Sequence, residues 1–197
     1  MTMILFPFLM SLAAFAQIPL PTCVKEPADI QKIITFTKKN SDNSSKYDAY
    51  RIALASDSDQ ALAARLIYAE TIAANCPTQS ANVLPLIAGV INNRVQIRKG
   101  DVKSVVFERN QFASSLNHYS SSKYLDFLCP TDALLWTQSM NVVGKKNRDL
   151  SIAAVNYFLY KHHAGWDKEP WKLPESKLSL NSNARDCIRV FENKSWK

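Results

Sequence analysis

The sequence predicts a mainly α protein of the α+β class, with room for little more than a small hairpin or sheet. Three observations carry this. Only four glycines occur in 197 residues, too few for a large β-protein rich in tight turns. Several segments place apolar residues at helical spacing and end in helix-closing residues. One run, "VNYFLY" (155–160), suits a strand, although the segment around it also fits a helix.

The elements follow in order. "TCVKEPADIQKIITFTKKN" holds a short helix from about Pro27 to Lys38, and "SDNSSKYD" is a polar break. Ser56 or Asp57 caps the next helix, which runs through "ALAARLIYAETIAANC" and ends near Asn75, before Pro77. Its apolar line is Leu62, Leu66, Ala69 and Ala73. Glu70 falls about 40° from Leu66, at the margin of that line. Its neighbours three and four positions away are Leu66, Ile67, Ala73 and Ala74, none of them basic. It is therefore either a solvated edge residue or an acid kept partly dry.

A second helix begins near Asn82, with Pro85 in its first turn and Leu84, Ile87 and Ile91 along one side. It closes with Arg94, Arg98 and Lys99 before Gly100. "VKSVVFERNQF" reads as a turn of helix and a loop, and "LNHYSSSKYLDFLC" as a polar, aromatic loop. Pro130, Thr131 and Asp132 open a third helix through about Val143, closed by Gly144. "DLSIAAVNYFLYKHHAGW" fits either a helix or a strand, and "NARDCIRVFENK" is a last helix or strand.

With 47% hydrophobic residues the chain can bury one sizeable core, and no linker or repeat divides it. The net charge of +7 favours anionic partners. No basic block is interleaved with aromatics, so nucleic acid is not expected. "MTMILFPFLMSLAAFAQ" has no charged side chain and ends in small residues, which predicts a signal peptide cleaved after Ala16. The n-region lacks the usual Lys or Arg. The alternative, a short membrane anchor, is marginal for crossing about 30 Å of hydrocarbon, so no stable membrane insertion is expected once the signal is removed.

The four cysteines are Cys23, Cys76, Cys129 and Cys187. No C-x-x-C pair or suitably spaced His completes a zinc site, so no metal or cofactor is expected. An even count behind an export signal favours two disulfides with three possible connectivities. Position along the chain points to Cys23–Cys187 and Cys76–Cys129. Buried free thiols are the alternative.

Four short motifs then stand in order. They are Arg65, Tyr68, Ala69 and Glu70; Asn93, Arg94 and Val95; Val105, Val106, Gln111 and Phe112; and, more loosely, Tyr157, Phe158 and Trp166. In residue type, order and spacing this pattern resembles the cell wall hydrolases of the spore-cortex-lytic type, over about residues 62 to 170. The chain departs from it twice: "TIAANCPTQSAN" replaces a Gly-Glu pair after the Glu motif, and "YKHHAGW" stands where an Asn-Pro or a lone His is usual.

The resemblance implies a lysozyme-like fold with a small β-hairpin or sheet lining a substrate cleft. It implies cleavage of the β-1,4 bond between N-acetylmuramic acid and N-acetylglucosamine in peptidoglycan, by lytic transglycosylation that leaves 1,6-anhydro ends. The single essential acid carries over to Glu70. The implied organisation is a signal peptide over 1–16, an N-terminal helical extension over 17–58, a catalytic domain over 59–175 and a C-terminal segment over 176–197 packed on the same domain. The protein is then exported, periplasmic or secreted, and associated with the wall. An inhibitory or localising protein partner would leave no readable trace in the sequence.

The chemistry fits one acid. A glycosidic oxygen leaves poorly until protonated, and an apolar setting keeps a carboxylic acid neutral by disfavouring its charged form. A hydrolase needs a second carboxylate. Asp101 and Glu108 are the candidates, but both stand among basic residues and read first as surface ion pairs. Gln111, Phe112, Tyr157 and Trp166 are the candidate substrate-binding residues, each with a packing role as alternative. Tyr68 lies about 160° from Glu70 around the helix and reads as core. Arg65 reads as a brace.

His118, His162 and His163 raise a nucleophilic or metal-dependent hydrolase. There is no Gly-x-Ser-x-Gly elbow, and two adjacent histidines point apart on a regular element. Two other functions stay open: a non-catalytic wall-binding protein on the same fold, and a hydrolytic muramidase or chitinase.

Overall fold

The computed structural model describes residues 16–24, 54, 56–74, 76, 80–107, 112, 122–143, 157–160 and 188–191. The described part is mainly helical. Five helices stand in it: α1 (Asp59–Ala74), α2 (Ser80–Arg98), α3 (Val102–Val106), α4 (Ser122–Leu128) and α5 (Ala133–Val143). Two strands, β1 (Tyr157–Tyr160) and β2 (Ile188–Phe191), pair antiparallel with Tyr157 opposite Phe191 and Tyr160 opposite Ile188. Residues 161–187 separate them, so the pair is not a hairpin closed by a tight turn. No helix among the described residues is long and apolar enough to cross a membrane.

Helix α1 is the hub and packs against α2, α3, α4 and α5. Its cap is Ser58, not Ser56 or Asp57: the Ser58 hydroxyl accepts the Ala61 N–H at 3.1 Å, and the Ser58 carbonyl accepts the Leu62 N–H. Asp57 is instead taken by Arg65. The expectation of one apolar line with Glu70 at its margin was too narrow. Ala63, Ala64, Arg65, Ile67, Tyr68, Glu70, Thr71 and Ala74 are buried along with Leu62, Leu66, Ala69 and Ala73. From Leu62 to Ala74 the one exposed residue is Ile72, itself apolar, so no polar face marks which side meets solvent.

Helix α2 begins at Ser80, two residues before the expected start, so Pro85 lies inside it rather than in the first turn. Proline there offers no N–H to the carbonyl four residues back. At its end Lys99 takes the left-handed conformation, φ 49°. Gly100 is constrained differently, since a Cβ there would stand 2.6 Å from the Ser104 hydroxyl. Helix α3 is capped by Asp101, whose Oδ1 accepts the Ser104 N–H at 2.6 Å.

The segment expected as a loop before Cys129 contains α4, because Phe127 and Leu128 are fully buried against α1 and favour a helical turn there. Helix α5 opens as expected, with Asp132 Oδ1 accepting the Leu134 and Leu135 N–H groups. Of the two segments that fitted either a helix or a strand, Tyr157–Tyr160 and Ile188–Phe191 form strands. The helix expected over Pro27–Lys38 lies outside the described residues.

The main core joins α1, α2, α3, α4 and Ile188 through Leu62, Leu66, Ile87, Ile91, Val106 and Phe127 among others. A smaller cluster of Ala64, Tyr68 and Trp136 lies on another side of α1, with Ile18, Leu135, Met140 and Val143 packed on it. Each large aliphatic side chain buried in these clusters stabilises the fold by about 1.5–3 kcal/mol relative to exposure.

Residues 16–24 carry no regular secondary structure, yet they are pinned to the helices. Ile18 N–H donates to the Thr137 hydroxyl, the Trp136 indole N–H donates to the Pro19 carbonyl, and Val24 N–H donates to the Leu128 carbonyl. That path brings Cys23 beside Cys129, and the two form a disulfide. The expected pairing of Cys23 with Cys187 and Cys76 with Cys129 is thereby corrected. Contact along the chain ends was the wrong guide, because the N-terminal segment follows α4 and α5. Cys76 is also disulfide-bonded, and Cys187 lies outside the described residues.

Candidate active site

Two charged side chains on α1 are buried, and their settings differ. Arg65 is 1% exposed. Its Nε donates to Asp57 Oδ2 at 2.5 Å, its Nη1 to the Leu128 and Phe127 carbonyls at 2.8 and 3.4 Å, and its Nη2 to the Thr22 carbonyl at 2.7 Å. One guanidinium thus ties together the segment before α1, the end of α4 and the N-terminal segment. Only a planar fork with several donors does this from one position. Tyr68, one turn on, is buried with its hydroxyl accepting the Thr131 and Asp132 N–H groups at 3.1 and 3.0 Å. It anchors the start of α5 and belongs to the core.

Glu70 lies toward the other end of α1 and is 0% exposed. The four residues that flank it on the helix, Leu66, Ile67, Ala73 and Ala74, are all buried too. Thr71 folds its hydroxyl back to the Ile67 carbonyl at 2.7 Å. Glu70 keeps a polar interaction, and its Oε2 is buried without adding a hydrogen bond. Arg65 is not the counter-charge through the helix, for five residues turn it by about 140° and displace it by about 7.5 Å. The carboxyl therefore sits in walls that are aliphatic on its own helix, deeper than the half-dry margin the sequence indicated.

A third buried charge, Arg94, is on α2 at 1% exposure, beside Asn93 at 8%. Its guanidinium carbon lies 4.5 Å from the centroid of the Phe112 ring. Phe112 is itself buried in the main core. The ring face under Arg94 is engaged in a cation–π contact and is not open to a sugar. The Asn-Arg-Val motif thus contributes an interior cation, where the sequence had placed Arg94 among the residues that close the helix. The signal for its burial was faint: Arg94 falls on the side of α2 that also carries Leu84, Ile87 and Ile91.

The remaining candidates divide plainly. Gln111 and Trp166 lie outside the described residues, as do Glu108, His118, His162 and His163. Tyr157 is placed in β1 by its backbone pairing with Phe191, and its side chain is not among the described ones. Asp101 caps α3. Asp126, half-buried on α4, has its carboxyl pushed up from its ordinary value by burial. Among the described residues no group of His, Cys, Asp and Glu is gathered that could hold a metal ion.

No family model, curated protein or solved structure matches this chain.

Proposed function

We propose that this chain is an exported enzyme that cleaves the glycan strands of peptidoglycan at the β-1,4 MurNAc–GlcNAc bond, as a lytic transglycosylase. The observation that carries the reading is the complete burial of Glu70 among Leu66, Ile67, Ala73 and Ala74, at the position of the single acid in the motif pattern. In this reading the fold is lysozyme-like and the β1–β2 pair borders the cleft. Gln111, Tyr157 and Trp166 contact sugar, and Phe112 supports Arg94 from within.

The reaction needs one carboxyl. Neutral Glu70 gives its proton to the glycosidic oxygen as the C1–O bond breaks, and the leaving sugar departs with a free 4-hydroxyl. The carboxylate then takes the proton of the muramic acid C6 hydroxyl as its oxygen bonds to C1. The acid is restored and a 1,6-anhydro end is formed. Because Glu70 is fully covered, a glycan reaches this proton only when the packing around the end of α1 opens. The net charge of +7 draws the enzyme to a polyanionic wall, an attraction that weakens with salt.

Mass spectrometry of fragments released from purified sacculi tests the proposal. Wild type should yield anhydro-ended muropeptides, and Glu70→Gln should lower their release by about 100-fold or more, the usual scale for loss of a general acid. Digestion by Glu70→Gln at the wild-type rate removes the proposal. Reducing ends in place of anhydro ends transfer it to a hydrolytic muramidase or chitinase.

A second reading is favoured by the same burial: a carboxyl with no exposed surface suits an interior structural role in a non-catalytic wall-binding protein. Under that reading neither protein releases fragments, and both sediment equally with sacculi.

A further inference from the structure

The strap of residues 18–24 raises a question that Glu70 does not touch. It has no helix or sheet of its own, and Pro19, Leu20, Thr22 and Cys23 are exposed. Hydrogen bonds through Ile18, Pro19, Thr22 and Val24 hold it, together with the Cys23–Cys129 bond. Ordering such a segment costs about as much conformational freedom as these few hydrogen bonds offset, so the covalent tie decides whether it stays docked. That tie joins residues 106 apart in sequence, where the constraint on an open chain is large.

The two sulfurs are placed for exchange. Cys23 is exposed and Cys129 half-buried, whereas Cys76, in its own disulfide, is 5% exposed. A thiolate reaches an exposed disulfide first. The strap also reaches α1, because the Thr22 carbonyl is one of the acceptors that satisfy the buried Arg65 guanidinium.

We infer that the Cys23–Cys129 bond is a redox-operated tie that docks the strap on α4 and α5 and completes the partner set of Arg65. On opening, a dithiol reductant supplies two electrons and two protons. The Sγ–Sγ bond becomes two thiols, and the reductant becomes a disulfide. On closing, a disulfide oxidant accepts the same electrons and protons. The strap leaves when the bond opens, the Thr22 carbonyl goes with it, and the Arg65 end of α1 loosens. The device works whether or not Glu70 is catalytic, and it lets α1 reach its full packing only under oxidising conditions.

Hydrogen exchange read by mass spectrometry on the full chain tests this, comparing oxidised wild type with Cys23→Ser/Cys129→Ser. Amides of residues 18–24 should exchange about tenfold faster or more in the variant, while those of residues 83–95 on α2 keep their protection. A second measurement uses wild type alone: graded reduction by a dithiol, alkylation of the released thiols and peptide mapping. Cys23 and Cys129 should be labelled before Cys76. Unchanged protection of the strap, loss of protection on α2 in step with it, or labelling of Cys76 first would each overturn the inference.

Discussion

The two ends of α1 bury opposite charges in opposite company. Near the start, Arg65 meets a carboxylate and three backbone carbonyls, from segments far apart in sequence. Near the end, Glu70 is walled on its own helix by Leu66, Ile67, Ala73 and Ala74. Both side chains are as fully buried as Leu66 and Ile67 between them. Burial alone therefore does not separate a brace from a candidate acid; the company does. A guanidinium surrounded by acceptors holds segments in place, and replacing it disrupts everything it joins. In the proposed reading Glu70, which keeps a polar interaction of its own, holds a transferable proton beside its aliphatic helix neighbours.

The sharpest way to break this contrast is to remove the brace. Arg65→Met keeps a long apolar stem but removes the guanidinium from Asp57 and from the carbonyls of Thr22, Phe127 and Leu128, the last of which keeps the Val24 N–H. Loss of one partner from a buried, charge-assisted set costs about 3–5 kcal/mol. Urea unfolding should show a drop of that size. Glu70→Gln keeps nearly the same shape and can still take part in a polar contact, so it should shift stability by less than about 1 kcal/mol. If both variants lose stability alike, the ends of α1 are two braces and the active-site reading weakens.

A middle-sized effect belongs to Tyr68, which sits between the two ends. Tyr68→Phe keeps the ring in its cluster with Ala64 and Trp136 and removes only the acceptor for the Thr131 and Asp132 amides. The expected cost is about 1–2 kcal/mol. It should appear as faster hydrogen exchange at the start of α5 before any other helix responds. Uniform exchange along the chain would show that the hydroxyl anchors no particular element.

Much of this was legible in the sequence, for physical reasons that can be traced. The existence of α1, α2 and α5 follows from apolar spacing and closing residues, which act locally. The role of Tyr68 as core follows from its angle to Glu70. What escaped reading is what depends on distant partners. Ser58 displaced Ser56 and Asp57 as cap because Arg65, eight residues on, draws Asp57 to itself. The short helix α4 hid in a polar, aromatic run because its stability comes from Phe127 and Leu128 against α1, not from periodicity. The disulfide of Cys23 with Cys129 depends on where a coil segment lies, and no local rule places coil. For Glu70 the chemistry of its helical neighbours was readable, but the depth of its burial was set by the surrounding helices.

The smallest expected effect concerns a carboxyl that the contrast leaves between its extremes. Asp126 on α4 is half-buried, and burial raises its affinity for a proton above the ordinary value of 3.8. The folded state then binds more protons than the unfolded state just above that pH. Stability contributed by this group is present below 3.8 and falls as pH rises through the window from 3.8 up to the raised value. Above the window the penalty stays constant. Asp126→Asn abolishes this term, so the difference in unfolding free energy between variant and wild type should grow with pH across the window and then level off. A difference that is flat with pH would mean that Asp126 is hydrated in the folded protein. A difference of opposite slope would mean that a cation holds its charge, which would place Asp126 with Arg65 among the braces and not with Glu70.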